Sequence, residues 1–361
     1  MKCIHCDQDA TRKERRDGKC PGCGRKFAFE PKSGDPLTDG MMKRAIDLVS
    51  ADGAVRWLPE NAWLELCRLQ RRTFRPMKIL LALAWLPVVV AVPIGGVLWQ
   101  VHVLLGAPLL AADLWAAVVL VAAWKNLNRQ PLTTRWELAK FLGWFQRYVA
   151  AHGTPKGLLQ PKAPTPGKRP AIADEALDYS FDRAVVCDDA RTADLLIANR
   201  FHFENNAAIL GVDGHPAAVF DTVRAMLRNN PKLVVLALHD ATPQGCRLAQ
   251  KLKDEAWFAP TARIVDVGLR PDDAGMCLAQ VEAVAPVRVT ADASISADEA
   301  LWLARYRLRV AALRPEWLVK RLFAALTSAE AKDAPGDGSV ETYVFSGGDG
   351  TTADGGADSF G

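Results

Sequence analysis

The sequence predicts a multidomain chain: a small four-cysteine module, a two-helix transmembrane hairpin, and an α/β domain with a mainly parallel sheet. Three observations carry this. Four of the eight cysteines fall within the first 23 of 361 residues, as two Cys-x-x-Cys pairs. Two long apolar runs lie close together over residues 79–124, between basic flanks. From Arg183 onward, short continuous apolar runs alternate with stretches of helical periodicity, the mark of a parallel sheet covered on both faces. The formal charge is only +4, from 45 basic and 41 acidic residues, so the chain is not built mainly around a nucleic-acid backbone footprint. Residues 1–30 are polar and contain no apolar signal core, which predicts that the cysteines face a reducing cytoplasm.

Cys3-x-x-Cys6 and Cys20-x-x-Cys23 supply four soft ligands as paired knuckles, the donor set zinc takes in a closed tetrahedral site. Gly22 and Gly24 ease the turn that brings backbone amides toward the sulfurs. The pattern resembles the zinc-ribbon family over residues 1–30. With four thiolates present, His5 is not expected to be a ligand, and the zinc is expected to be structural. The basic run Arg12 to Arg16 reads as a solvated loop that could also touch RNA or phosphate.

Residues 40–75 read as a small helical or winged-helix-like segment, with Ala45, Ile46, Leu48 and Val49 on one face and Trp63, Leu64, Leu66, Cys67 and Leu69 on a second. Ile79 to Trp99 is an uncharged run of spanning length, and Val103 to Trp124 is broken only by Asp113. Arg68, Arg71, Arg72, Arg75 and Lys78 before the hairpin, and Lys125, Arg129 and Arg135 after it, place both flanks in the cytoplasm. The expectation is a multi-pass protein of the inner (cytoplasmic) membrane, both termini cytoplasmic, with the lipid bilayer as a partner. Asp113 leaves a transport-related role open. Residues 132–152 form an amphipathic helix that can lie along the bilayer surface, and residues 153–172 a Pro/Lys linker.

In the α/β domain, 183–290, strands are expected at Ala184–Cys187, Ala207–Val212, Leu233–Leu238 and Ile264–Val267. Polar residues gather at their carboxyl ends: Asp188 and Asp189, then Asp213, Gly214 and His215, then His239, Asp240, Thr242 and Gln244. Ligands of such sheets bind at those ends, and convergent carboxylates there form an oxygen cage for Mg²⁺. This order is similar to the Toprim domain of topoisomerases, primases and some nucleases. The resemblance implies a Mg²⁺-dependent site acting on phosphodiesters, with Asp188 or Asp189 at the family's glutamate position, Asp240 as its first aspartate and Gly245 as its turn glycine. Thr242 stands where the second aspartate belongs, which removes one metal-binding charge.

Residues 296–328 read as a basic helical segment broken at Pro315, and residues 331–361 as a disordered Gly/Asp-rich tail. Besides the transport-related role through Asp113, two functional readings follow. One is a membrane-anchored zinc-ribbon scaffold or regulatory protein that binds a protein, nucleic-acid or small-molecule partner. The other is a Mg²⁺-dependent phosphodiester enzyme using Asp188, Asp189 and Asp240.

Overall fold

A computed structural model describes residues 1–15, 17–31, 34–70, 131–160, 181–228, 230, 232–331 and 340–342. Residues 1–69 and 134–361 group as one unit and 70–133 as a second. After the cysteine module come helices α1 (Asp39–Ser50) and α2 (Pro59–Leu69), then α3 (Leu138–His152). The α/β part follows as β1 (Arg183–Cys187), α4 (Ala190–Ala198), α5 (Phe201–Glu204), β2 (Ala207–Gly211), α6 (Phe220–Arg228), β3 (Val234–Leu238), α7 (Leu248–Asp254) and β4 (Arg263–Asp266). The chain closes with β5 (Glu282–Ala283), α8 (Ala297–Leu303), β6 (Tyr306–Arg307), α9 (Pro315–Ala331) and β7 (Val340–Thr342).

The main sheet has the order β2-β1-β3-β4-β7, every pair parallel, while β5 and β6 form a small antiparallel pair. Alternation along each strand divides its side chains between two cores. Ala184 and Val186 of β1 face α6 and α7 through Phe220, Leu227, Leu248 and Leu252. Val185 and Cys187 face the opposite way, into a core shared with α4, α9 and the N-terminal helices. Within the tail expected to lack order, Val340–Thr342 adds a strand beside β4.

Local chemistry sets the element ends. Thr38 caps α1 by accepting from the Met41 amide at 3.2 Å. Ser296 and Glu299 form a capping box at the start of α8. Pro315 opens α9, where its missing N–H is not needed.

The expected transmembrane hairpin, the multi-pass inner-membrane placement and the cytoplasmic termini read from it are corrected here. Among the described residues, no helix is long and apolar enough to cross a membrane. The longest, α3 and α9, have 15 and 17 residues. At 1.5 Å per residue they reach about 23–26 Å, short of a hydrocarbon core of about 30 Å. Lys140 and Arg147 interrupt α3, and Lys320 and Arg321 interrupt α9. Residues 79–124, including Asp113, and most of the linker lie outside the described residues. Three residues of the apolar face of α3 pack against protein: Phe141, Phe145 and Tyr148 are buried, with Phe145 edge-on to the buried Trp57.

Candidate functional site

The four cysteines come together as the spacing predicts. Two short hairpins carry them, closed by bridges Lys2–Asp9 and Lys19–Lys26. The hairpins repeat one geometry. The residue after each second cysteine, Asp7 or Gly24, has positive φ (60° and 70°) and donates its N–H to the carbonyl of the first cysteine. The Sγ atoms all lie within 4.8 Å of one another, with Cys3–Cys23 at 3.7 Å and Cys6–Cys20 at 3.6 Å. Four sulfurs about 2.3 Å from one zinc ion would stand about 3.8 Å apart, close to the two shortest separations here, so the cluster is of the size the metal needs. The Cys23 and Gly22 amides lower the Cys20 thiol to about 7, whereas Cys6, despite a hydrogen bond with the Gln8 backbone, is pushed up to about 12 by burial and the neighbouring thiols.

The module is tied to the helices by charged contacts. Arg15 makes a two-point contact with Glu30, at 2.8 and 3.0 Å. Arg147 of α3 grips Asp35 in the same way and also donates to the Ala28 carbonyl. Asp39, fully buried, accepts from the Ala28 and Phe29 amides and from His152 Nε2 at 2.7 Å. Arg25 can only donate, so His5 Nδ1 accepts from it. His5 Nε2–H then donates to His152 Nδ1 at 3.0 Å, which leaves His152 Nε2–H for Asp39. Burial and the neighbouring Arg25 lower the His5 pKa, consistent with a neutral His5 ring.

The second candidate lies where the sheet order reverses, between β1 and β3. Asp188, Asp189 and Asp240 all reach this end, but each meets groups of the protein. Asp188 Oδ2 accepts from the Asp240 amide at 2.9 Å, while its Oδ1 is buried without a hydrogen bond. Burial, then the charge of Asp240, pushes Asp188 up to about 7. Asp240 is also raised, chiefly by burial, although its Oδ1 accepts from the Val310 amide at 2.7 Å. Asp189 caps α4 and pairs with Arg191; burial would raise it, but these contacts hold it below the usual range. Arg191 also pairs with Glu60 of α2.

A segment from the C-terminal part lies over this end of the sheet. Ala241 and Leu308 pair antiparallel. Arg307 and Arg309 both meet Glu282 at 2.5 Å. Asn61 donates to the Ala311 and Leu313 carbonyls, and Glu65, 2% exposed, takes two hydrogen bonds from Arg314.

His239 and His215, two candidate acid–base groups, separate. His215 meets Asp194 near the surface at 2.8 Å. His239 is fully buried and faces two acceptors, Asp266 Oδ1 and the Asp240 carbonyl, both at 2.8 Å, so both its nitrogens carry protons. Burial opposes that charge, but Asp266 prevails and raises its pKa. Burial would likewise raise Asp266; His239 and Arg270 hold it at about 2. Gly268 is required here, since a Cβ would lie 2.3 Å from the imidazole. Thr242 Oγ1 accepts from the Gly245 amide, which is a turn-forming role.

Sequence reasoning named Asp188, Asp189 and Asp240 but missed Val310, Arg309, Glu282 and the Asp266–Arg270 pair. An aspartate inside an apolar strand was the available signal for Asp266. The others come from residues distant in sequence. No protein-family model, Toprim included, matches this chain, and no curated protein or solved structure does. What stands is a four-cysteine cluster able to hold a metal such as zinc, and an α/β domain with a parallel sheet.

Proposed function

We propose that this chain is a zinc-ribbon scaffold or regulatory protein whose α/β domain binds a partner or ligand without chemical turnover. One observation carries the reading. The carboxylates at the reversal point serve the protein itself: Asp240 receives the Val310 amide, Asp188 receives the Asp240 amide, and Asp189 caps a helix. Each of these contacts occupies an oxygen that a phosphodiester enzyme would use to hold Mg²⁺ and substrate, and the other Asp188 oxygen, Oδ1, is buried. The docking of the cysteine module supports the same reading. Phe29 and Leu37, next to the module, share one core with the helical layer and with Val185 and Leu236 of the sheet. Zinc at the four thiolates would fold the ribbon and thereby fix that edge of the core.

Metal analysis of the purified chain together with a nuclease assay tests this. The expected result is one zinc per chain and no cleavage of single- or double-stranded nucleic acid with Mg²⁺. Mg²⁺-dependent cleavage abolished by Asp240→Ala would overturn the reading in favour of the phosphodiester enzyme.

A further inference from the structure

Between the first cysteine knuckle and helices α1 and α3 lies a cleft of about 290 Å³. Its charges are balanced. Lys43 and Lys156 contribute two cations, Asp47 and Asp52 two anions. Lys43 and Asp47 already pair at 2.5 Å. Lys156 and Asp52 are both exposed and make no ion pair among the described residues. Ile46 supplies apolar wall, and the Tyr148 hydroxyl makes no hydrogen bond among the described residues. His5 and His152 also line the cleft, but all four of their ring nitrogens are engaged. They offer no lone pair to a metal ion, so recognition falls to the lysine, the aspartate and the tyrosine.

We propose that this cleft binds a small zwitterion of free amino-acid size. Its carboxylate would be held by Lys156, its ammonium by Asp52, and its side chain would lie on the apolar wall. The sign balance selects this class. With Lys43 and Asp47 paired to each other, a purely anionic ligand would face the unpaired Asp52, and a purely cationic one the unpaired Lys156. A ligand carrying both charges leaves no like pair opposed. The volume is at the small end for ligand sites, which matches a single amino acid better than a nucleotide or a peptide. The cleft lies at the ribbon–helix junction, so its ligand would be held whether or not the sheet carboxylates are catalytic.

The experiment is titration calorimetry of the zinc-loaded full chain with a set of free L-amino acids at millimolar concentration. At least one with an apolar side chain should bind. Its methyl ester, which lacks the carboxylate, and its N-acetyl form, which lacks the ammonium, should not. Lys156→Met and Asp52→Asn should each weaken binding about tenfold or more, the loss expected for one charged contact. Both residues are exposed, so an unchanged thermal midpoint separates lost recognition from lost folding. No binding by any of the amino acids, or binding that survives both substitutions, overturns the proposal.

Discussion

Asp188→Asn should make this protein more stable, and only at high pH. The folded carboxyl keeps its proton until about pH 7, whereas an ordinary aspartate ionises near 3.8. Between those values the folded state holds the extra proton, so stability falls as pH rises. The interval corresponds to about 4 kcal/mol at about 1.36 kcal/mol per pH unit. Asp240 shares the same pocket and part of the same cost, so the expected gain from relieving one carboxyl is about 2 kcal/mol. The asparagine carbonyl can still accept from the Asp240 amide, and the neutral side chain removes the like charge beside Asp240. Urea denaturation of both proteins at pH 3.5 and pH 8 measures the effect. The curves should coincide at the lower pH and separate at the higher. A variant no more stable than wild type at pH 8, or one equally stabilised at both values, would refute the account of the orphaned oxygen.

Other outcomes follow from the same geometry. Cys20→Ser should lose the metal and lower the thermal midpoint, and a zinc chelator should lower the midpoint of wild type but not of the variant. Gly268→Ala should destabilise by about 2–3 kcal/mol, because the added carbon must displace a fully buried imidazole; chemical denaturation reads this directly. Glu65→Gln leaves the Arg314 guanidinium with a neutral partner and should cost about 3 kcal/mol. Asp266 has a depressed folded pKa, so its contribution is full above pH 3.8 and lost as pH falls through about 2. Acid unfolding of Asp266→Asn should therefore show a weaker pH dependence across that window than wild type.

The parts legible in the sequence are those fixed by neighbours along the chain. Two Cys-x-x-Cys pairs dictate a tetrahedral cluster whatever surrounds them. Apolar runs such as Val234–Leu238 dictate buried parallel strands because both faces must be covered. The misreadings arose where periodicity reports an apolar face but not its cover. Phe141, Phe145 and Tyr148 repeat at helical spacing, which suits a bilayer surface as well as a protein core; Trp57 decides between them, 84 residues before Phe141. The aspartates at the strand tips were visible, but their partners were not. Val310 reaches Asp240 with a backbone amide, and backbone donors leave no trace in side-chain pattern. The strand at Val340–Thr342 is three residues long in a Gly/Asp-rich context, too short to stand out against composition.

The tie between Glu65 and Arg314 spans 249 positions, and Asn61 reaches as far. During synthesis, β1 to β4 come from one contiguous stretch and can pair early. On the second helix from the amino end, Glu65 meets Arg68 at 3.7 Å, but its closer partner, Arg314 at 2.8 Å, must wait for the residues after position 310 to emerge. Any nascent chain halted short of that point would carry a solvent-seeking glutamate on a surface otherwise ready to be covered, which makes it a natural client for a chaperone and an easy substrate for a protease.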